Sequence, residues 1–196
     1  MPLTRVGALV GVGLLLVPLQ AATRQEADAF SRKLDQIRSH AGDGRAPGAT
    51  RTPVTESELN SWFTYSAAGV FPAGVSAAQV TLVGDGRISG QAVVDLDAIA
   101  RRKSTGGSFE LRSLLGGKVP VTVAGVLHTR DGVGTFAVER ADVSGVPVPA
   151  AVLQQLVSYY SRSPENPDGV ELDRAFALPA AIRQIDVGAG QAVIVQ

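Results

Sequence analysis

Apolar residues between positions 149 and 162 recur at the spacing of one face of an α-helix. Pro149 opens this stretch, and proline is favoured at a first helical position because its missing N–H would have no partner there. Pro164 follows shortly after and stops the helix. The apolar positions cover about half of the helix circumference, and they are Val152, Leu153, Leu156, Val157 and Tyr160. A face this wide predicts a helix that is covered by a sheet.

Segments with an apolar period of two, separated by turns that contain glycine, lie on both sides of this helix. In chain order, the predicted strands are 79–83, 88–96, 119–129, 134–143, 182–187 and 192–196. Consecutive strands joined by short turns favour antiparallel hairpins. The pattern therefore predicts an α+β fold, in which a curved antiparallel β-sheet wraps around the long amphipathic helix.

Residues 1–22 have the features of a secretory signal, which are one positive charge at Arg5, an uncharged apolar run over Val6–Leu19, and then Ala21 and Ala22. The run is shorter than the roughly 20 residues that span a bilayer. The segment is thus interpreted as a cleaved signal peptide or a retained membrane anchor, and a buried core helix is the remaining alternative. A signal peptide and an anchor both place the rest of the chain outside the cytoplasm, in the periplasm or on the periplasmic face of the inner membrane.

Residues 23–52 are predicted to form a charged helix and a linker. The helix, Thr23 to Ser39, has a narrow apolar stripe, which is Ala27, Phe30, Leu34 and Ile37. The stripe packs on its own domain or binds a membrane surface or a partner, or else the helix is a solvated stalk. The stretch from His40 to Pro53 is rich in Gly, Ala, Pro and Thr, which is typical of a linker. A single domain is predicted over residues 53–196.

A second helix is predicted from Thr55 to about Ala67. Thr55 and Glu58 have the spacing of a capping box, in which each side chain satisfies a free N–H at the start of a helix. Leu59, Trp62 and Phe63 lie on one face of this helix. Acidic residues in a first turn complement the helix dipole, so the carboxylates are interpreted as structural and not as a catalytic pair.

Composition and charge exclude several classes of function. Among 196 residues there are 18 Lys and Arg and 18 Asp and Glu, so the basic excess of a general nucleic-acid binder is missing. The absence of cysteine excludes disulfides, thiolate metal sites and a cysteine nucleophile. Asp95 and Asp97 lack a third metal ligand nearby in the sequence, and His128 lacks a catalytic partner. No catalytic residue, metal or cofactor is predicted.

The densest basic run is Arg101, Arg102 and Lys103, followed by Ser104-Thr105-Gly106-Gly107. Such a run either binds anionic head groups or phosphate, or is an exposed loop. Small residues in the strands are equally ambiguous, because they leave room for a ligand or let a helix pack closely; they include Gly90, Ala92, Ala124 and Gly125.

The order of elements resembles a family. The motifs that carry the resemblance are TESELN at Thr55–Asn60, QVTL at Gln79–Leu82, the stretch Val138–Val148 that leads into the long helix, and the terminal hairpin Ile182–Val195. They resemble small bacterial envelope proteins of the YceB-like kind and, more distantly, the tubular lipid-binding (TULIP) superfamily of the bactericidal permeability-increasing protein. Relatives of the first kind are often lipoproteins, whereas this chain lacks the cysteine that lipidation requires.

The resemblance implies a long sheet around a helix, with an apolar cleft that holds an acyl chain. The leading hypothesis is therefore a non-enzymatic envelope protein that binds a lipid or another hydrophobic molecule, with a membrane surface as a further partner. The residues expected to line the cleft are Leu59, Trp62, Phe63, Val152, Leu153, Leu156, Val157 and Tyr160. Arg101, Arg102 and Lys103 are the candidate head-group patch. The alternative is an interaction domain with a filled core and no ligand, which recruits a partner protein through exposed strand edges.

Overall fold

The computed structural model describes residues 22–42, 50–67, 69–72, 74–98, 117–161, 167–169 and 171–196. The predicted signal or anchor up to Ala21 and the basic run at 101–103 lie outside these residues. The helices that lie wholly within these residues are α1 (Arg24–His40), α2 (Glu56–Tyr65) and α3 (Ala150–Ser161). The strands within them are β1 (Arg51–Thr55), β2 (Val75–Gly84), β3 (Arg87–Asp95), β4 (Lys118–Arg130), β5 (Val133–Val143), β6 (Val146–Pro147), β7 (Phe176–Ala177), β8 (Gln184–Gly188) and β9 (Gln191–Val195). The α+β class with antiparallel sheets is confirmed.

The strands form two sheets. The large sheet has the order β2-β3-β4-β5-β6, with β7 also paired to β5, and the small sheet has the order β1-β9-β8. The linker predicted from His40 to Pro53 is wrong at both ends, because His40 ends α1 and residues 51–53 belong to β1, which pairs with β9. A short polar stretch becomes a strand here because the C-terminal hairpin offers it an edge to pair with.

The predicted hairpins are confirmed, and tight turns explain two of them. Asp85 and Gly86 join β2 to β3, while Asp131 and Gly132 join β4 to β5. All four residues have positive φ, between 49° and 84°. Two such residues in succession give the turn type whose twist matches that of paired strands, and Asp-Gly is among the sequences that favour it. Both turns lie at the same end of the large sheet, which we call the turn end; the opposite end, where β2 and β4 begin, is the far end.

The large sheet has one apolar and one polar face. Residues paired across the strands share a face, and the registers align Val80, Gly90, Val123 and Ala141 in one row, and Ala92, Val121 and Val143 in another. The alternate rows on the opposite face are mostly polar, and they include Gln79, Gln91, Thr122, Asp142, Thr81, Ser89 and Arg140. Such alternation is typical of an antiparallel sheet with one face against the core.

Among the described residues, a buried cluster covers the apolar face at the turn end. Its centre is Leu82 of β2 with Val187 and Ala192 of the C-terminal hairpin. Partly buried side chains pack around this centre, and they are Leu59, Val80, Ile88, Leu127 and Ile185. The small sheet and α2 therefore close the apolar face at the turn end.

Helix α1 packs on α2 through its apolar stripe, so the prediction that the stripe packs on its own domain is confirmed. Ala27, Phe30 and Ile37 are buried. The ring of Phe30 meets Trp62 edge-on, with centroids 5.6 Å apart. Lys33 adds a polar contact, since its Nζ lies 2.7 Å from both carboxylate oxygens of Glu58. The stripe thus belongs to the interior of the domain.

Helix α3 packs against β5. Just before the helix starts, the Val148 N–H donates to the Ala141 carbonyl at 2.8 Å, which holds this part of the chain against β5. Leu153 is 4% exposed, whereas its neighbour Val152 is 44% exposed. The helix therefore buries a narrower face among the described residues than the periodicity predicts.

Candidate functional site

The cleft-lining residues predicted on α2 lie where α2 meets α1 and β2. Leu59 joins the buried cluster at the turn end. Trp62 packs between Phe30 and Phe63, and Phe63 in turn meets Phe71 at 5.3 Å between ring centroids. These side chains therefore contribute to packing, and Phe63 also lines a cavity beside the start of β2.

The residues predicted on α3 lie elsewhere. Leu153, Leu156 and Val157 are buried or half-buried on a helix that packs on β5, while α2 packs on β2. Strands β3 and β4 lie between β2 and β5, so the two predicted sets sit over different parts of the large sheet. The side chain of Tyr160 lies outside the described residues, as does the predicted head-group patch.

Beyond the buried cluster, the apolar face continues toward the far end as a set of small and β-branched side chains. We call this set the apolar stretch; it comprises Gly90, Ala92, Val94, Val119, Val121, Val123, Ala141 and Val143. Val119 and Ala141 are buried, and the other members are half-buried. Residues of this kind that fill a core are normally buried throughout.

Two glycines of the large sheet differ in the space around them, and neither makes room for a described helix. Among the described residues, the nearest atom to a Cβ built on Gly90 would be the Gln79 carbonyl oxygen, 3.9 Å away, so these residues leave space over this glycine. A Cβ on Gly125 would lie 2.3 Å from the Ala137 carbonyl oxygen. Gly125 therefore lets β5 approach β4, whereas Gly90 leaves room on the apolar face.

Side chains of α2 occupy the outer edge of β2. The Asn60 amide donates to the Val80 carbonyl at 2.8 Å and accepts from the Val80 N–H at 2.7 Å. One turn earlier, the Glu56 carboxylate accepts from the Leu82 N–H at 2.7 Å. Free strand edges recruit other strands, and covering them prevents this. Sequence reasoning missed this role, although Glu56 and Asn60 have the i,i+4 spacing of one helix face.

Side chains also cover backbone groups at one position on each edge strand of the small sheet, β8 and β1. The Thr129 hydroxyl accepts from the Ile185 N–H at 2.8 Å and donates to the Ile185 carbonyl at 3.1 Å. On β1, Pro53 has no N–H, and its carbonyl accepts from Lys33 at 2.7 Å. At these positions a partner strand would have to displace an existing hydrogen bond.

Two cavities lie outside the apolar stretch. The first, of about 610 Å³, is at the turn end, and its lining includes His128, Arg130 and Asp186. The second, of about 550 Å³, lies at the far end between the C-terminus of α2 and the start of β2, and its lining includes Phe63 and Tyr65. Both cavities mix polar and apolar groups, and three aromatic rings, those of Phe63, Tyr65 and Phe71, line part of the second.

The carboxylates with shifted pKa values hold α1 on α2. A hydrogen bond from the Ser57 hydroxyl at 2.6 Å, with others from Thr23 and Ser61, lowers the pKa of Glu26. Burial opposes ionisation of Glu58, but hydrogen bonds from Lys33 and from the Thr55 N–H of the capping box outweigh it and lower the pKa of Glu58. Both groups act in helix packing.

The remaining acidic candidates, Asp95 and Asp97, accept hydrogen bonds from backbone N–H groups near the end of β3 and the start of β4. Asp95 accepts from the Ala98 N–H at 2.7 Å, and Asp97 accepts from the Gly117 N–H at 3.1 Å. Within the described ranges, no group of three His, Asp or Glu side chains is placed to hold a metal ion. In that same part of the chain, no helix is long and apolar enough to cross a membrane.

The chain matches none of the protein-family models, curated proteins or solved structures with which it was compared.

Proposed function

We propose that this chain is a non-enzymatic protein of the bacterial cell envelope that binds a lipid or another hydrophobic molecule. In this proposal the large sheet curves around α3, and an acyl chain lies on the apolar stretch. Each buried CH₂ of such a chain contributes about 0.8 kcal/mol. Export to the periplasm and the resemblance to YceB-like and TULIP proteins are parts of the same proposal.

The observation that carries the proposal is the half-burial of the apolar stretch. At the turn end, α2 and the small sheet cover the same face and form the buried cluster with it. Toward the far end, Ala92, Val94 and Val121 stay half-buried, and Gly90 has space over it. A long apolar molecule would cover these groups without any rearrangement of the buried cluster.

The alternative function, recruitment of a protein through strand edges, has less support. Asn60, Glu56 and Thr129 already use the edge groups of Val80, Leu82 and Ile185. A partner strand would gain little at these positions, because each new hydrogen bond replaces one that exists.

Native mass spectrometry of the chain purified from a bacterial periplasm tests the proposal. We expect a stoichiometric lipid adduct, whose mass identifies the class of ligand after organic extraction. Gly90→Leu fills the space on the apolar face and should abolish the adduct. Gln91→Leu adds the same side chain at the next position, on the polar face, and should retain it. A ligand-free mass for the wild-type chain, with no uptake of added phospholipid or fatty acid, would refute lipid binding and favour the interaction domain.

A further inference from the structure

An exposed apolar surface lies at the far end, beside the second cavity. It is formed by Tyr65 at the end of α2 and by Val70 and Phe71 in the following loop, and we call it the rim. Tyr65 is 42% and Val70 is 60% exposed. Phe71 is half-buried and anchors the loop by packing its ring on Phe63. The rim therefore presents apolar groups to the outside on a supported backbone.

The N-terminal end of the described residues lies at this rim. The Tyr65 hydroxyl donates to the carbonyl of Ala22 at 3.2 Å, and Ala22 is the first described residue. The uncharged apolar run ends at Leu19, only three residues earlier in the sequence. Three extended residues span at most about 11 Å. Any bilayer that holds this run must then lie close to the rim.

A cation lies at the same place. The Arg24 guanidinium stands over the Tyr65 ring, with 5.1 Å between its central carbon and the ring centroid. Tyrosine is enriched at the membrane interface, where its ring contacts apolar groups and its hydroxyl stays polar. Arginine near the surface of anionic lipids adds electrostatic attraction. Both residue types fit the head-group level of a bilayer better than they fit a protein core.

We propose that the rim is a docking surface for a lipid bilayer. Val70 and Phe71 contact the boundary of the acyl region, while Tyr65 and Arg24 lie at head-group level. The far end of the large sheet then faces the membrane, and the turn end points away from it. This inference rests on the envelope location in the proposed function but not on a bound lipid, because a domain can rest on a bilayer whether or not it holds a lipid inside.

A fluorescent label tests this orientation, since the chain has no cysteine of its own. The full chain carries Val70→Cys or, as a matched control, Val133→Cys, and each cysteine is labelled with an NBD fluorophore. Val133 is 48% exposed and lies at the turn end. The chain is synthesised in a cell-free system with vesicles of phosphatidylethanolamine and phosphatidylglycerol. A doxyl-labelled phospholipid then serves as the quencher inside the bilayer.

We expect quenching at position 70 to exceed that at position 133 about three-fold or more, with a blue-shifted emission, because only the rim enters the interface. Equal quenching at the two positions, or none at position 70, would overturn the proposal. A concentration-dependent blue shift at position 70 without vesicles would assign the rim to a second copy of the chain and would also overturn it. The readout does not depend on a co-purified lipid, so failure of docking and failure of lipid binding are distinguishable.

Discussion

Replacing Asn60 by alanine removes the cover from the outer edge of β2. The Asn60 amide makes two hydrogen bonds to the backbone of Val80. Each is worth about 1 kcal/mol net, and the half-buried N–H and carbonyl that lose their partner add a desolvation cost. We therefore expect Asn60→Ala to lower the free energy of unfolding by about 2–3 kcal/mol.

Urea unfolding followed by tryptophan fluorescence measures this loss. Trp62 is the only tryptophan, and it lies on α2 half a turn beyond Asn60. For a slope of about 2 kcal/mol per molar urea, the midpoint should fall by about 1–1.5 M. The uncovered edge should also promote self-association, which light scattering at increasing protein concentration detects.

Gln79→Ala is the matched control, because it removes another amide from the same edge region. The Gln79 side chain bonds only that of Gln91 among the described contacts, at an exposed position, so its loss should cost less than about 0.5 kcal/mol. If Asn60→Ala lowers the free energy of unfolding no more than Gln79→Ala does, then water replaces the Asn60 amide at the edge of β2. The argument that α2 protects the edge would then be wrong.

Three further predictions concern packing and pH. Phe30→Ala should cost about 3–5 kcal/mol in urea unfolding and shift the tryptophan emission, because it leaves a cavity between α1 and α2. Gly125→Ala should cost about 1–3 kcal/mol in thermal unfolding, since its Cβ would meet a carbonyl oxygen, whereas Gly90→Ala should cost almost nothing. The lowered pKa values of Glu26 and Glu58 stabilise the fold above pH about 4.3. The free energy of unfolding should fall as the pH drops below that value. The fall should be smaller in a double variant that carries Glu26→Gln and Glu58→Gln.

Local patterns predicted the elements well, because local physics decides them. The capping box of Thr55 and Glu58 and the helix boundaries near it follow from groups three residues apart. The Asp-Gly turns follow from backbone conformations that few other residue pairs adopt as readily. The strand β1 was missed because nothing within residues 51–55 indicates it; the strand exists through its pairing with β9, far along the chain.

The candidate site was predicted less completely than the elements. The apolar period of α3 correctly marks Leu153 as buried, but the same period includes Val152, which is exposed. The two sets of residues predicted for one cleft lie on α2 and α3, over different strands. Which side of a helix meets which strand depends on the whole topology, and a helical period carries no information about it.

The sequence by itself determined the α+β class, the antiparallel hairpins, and the apolar and polar faces of the strands, since these follow from residue spacing and backbone preference. Only the tertiary structure decided that the strands divide into two sheets and that the small sheet closes one end of the apolar face. It also decided that Asn60 serves a strand edge and that Gly90, unlike Gly125, has space over it. These features depend on residues far apart in the chain, whose relative positions are set only when the packed elements come together.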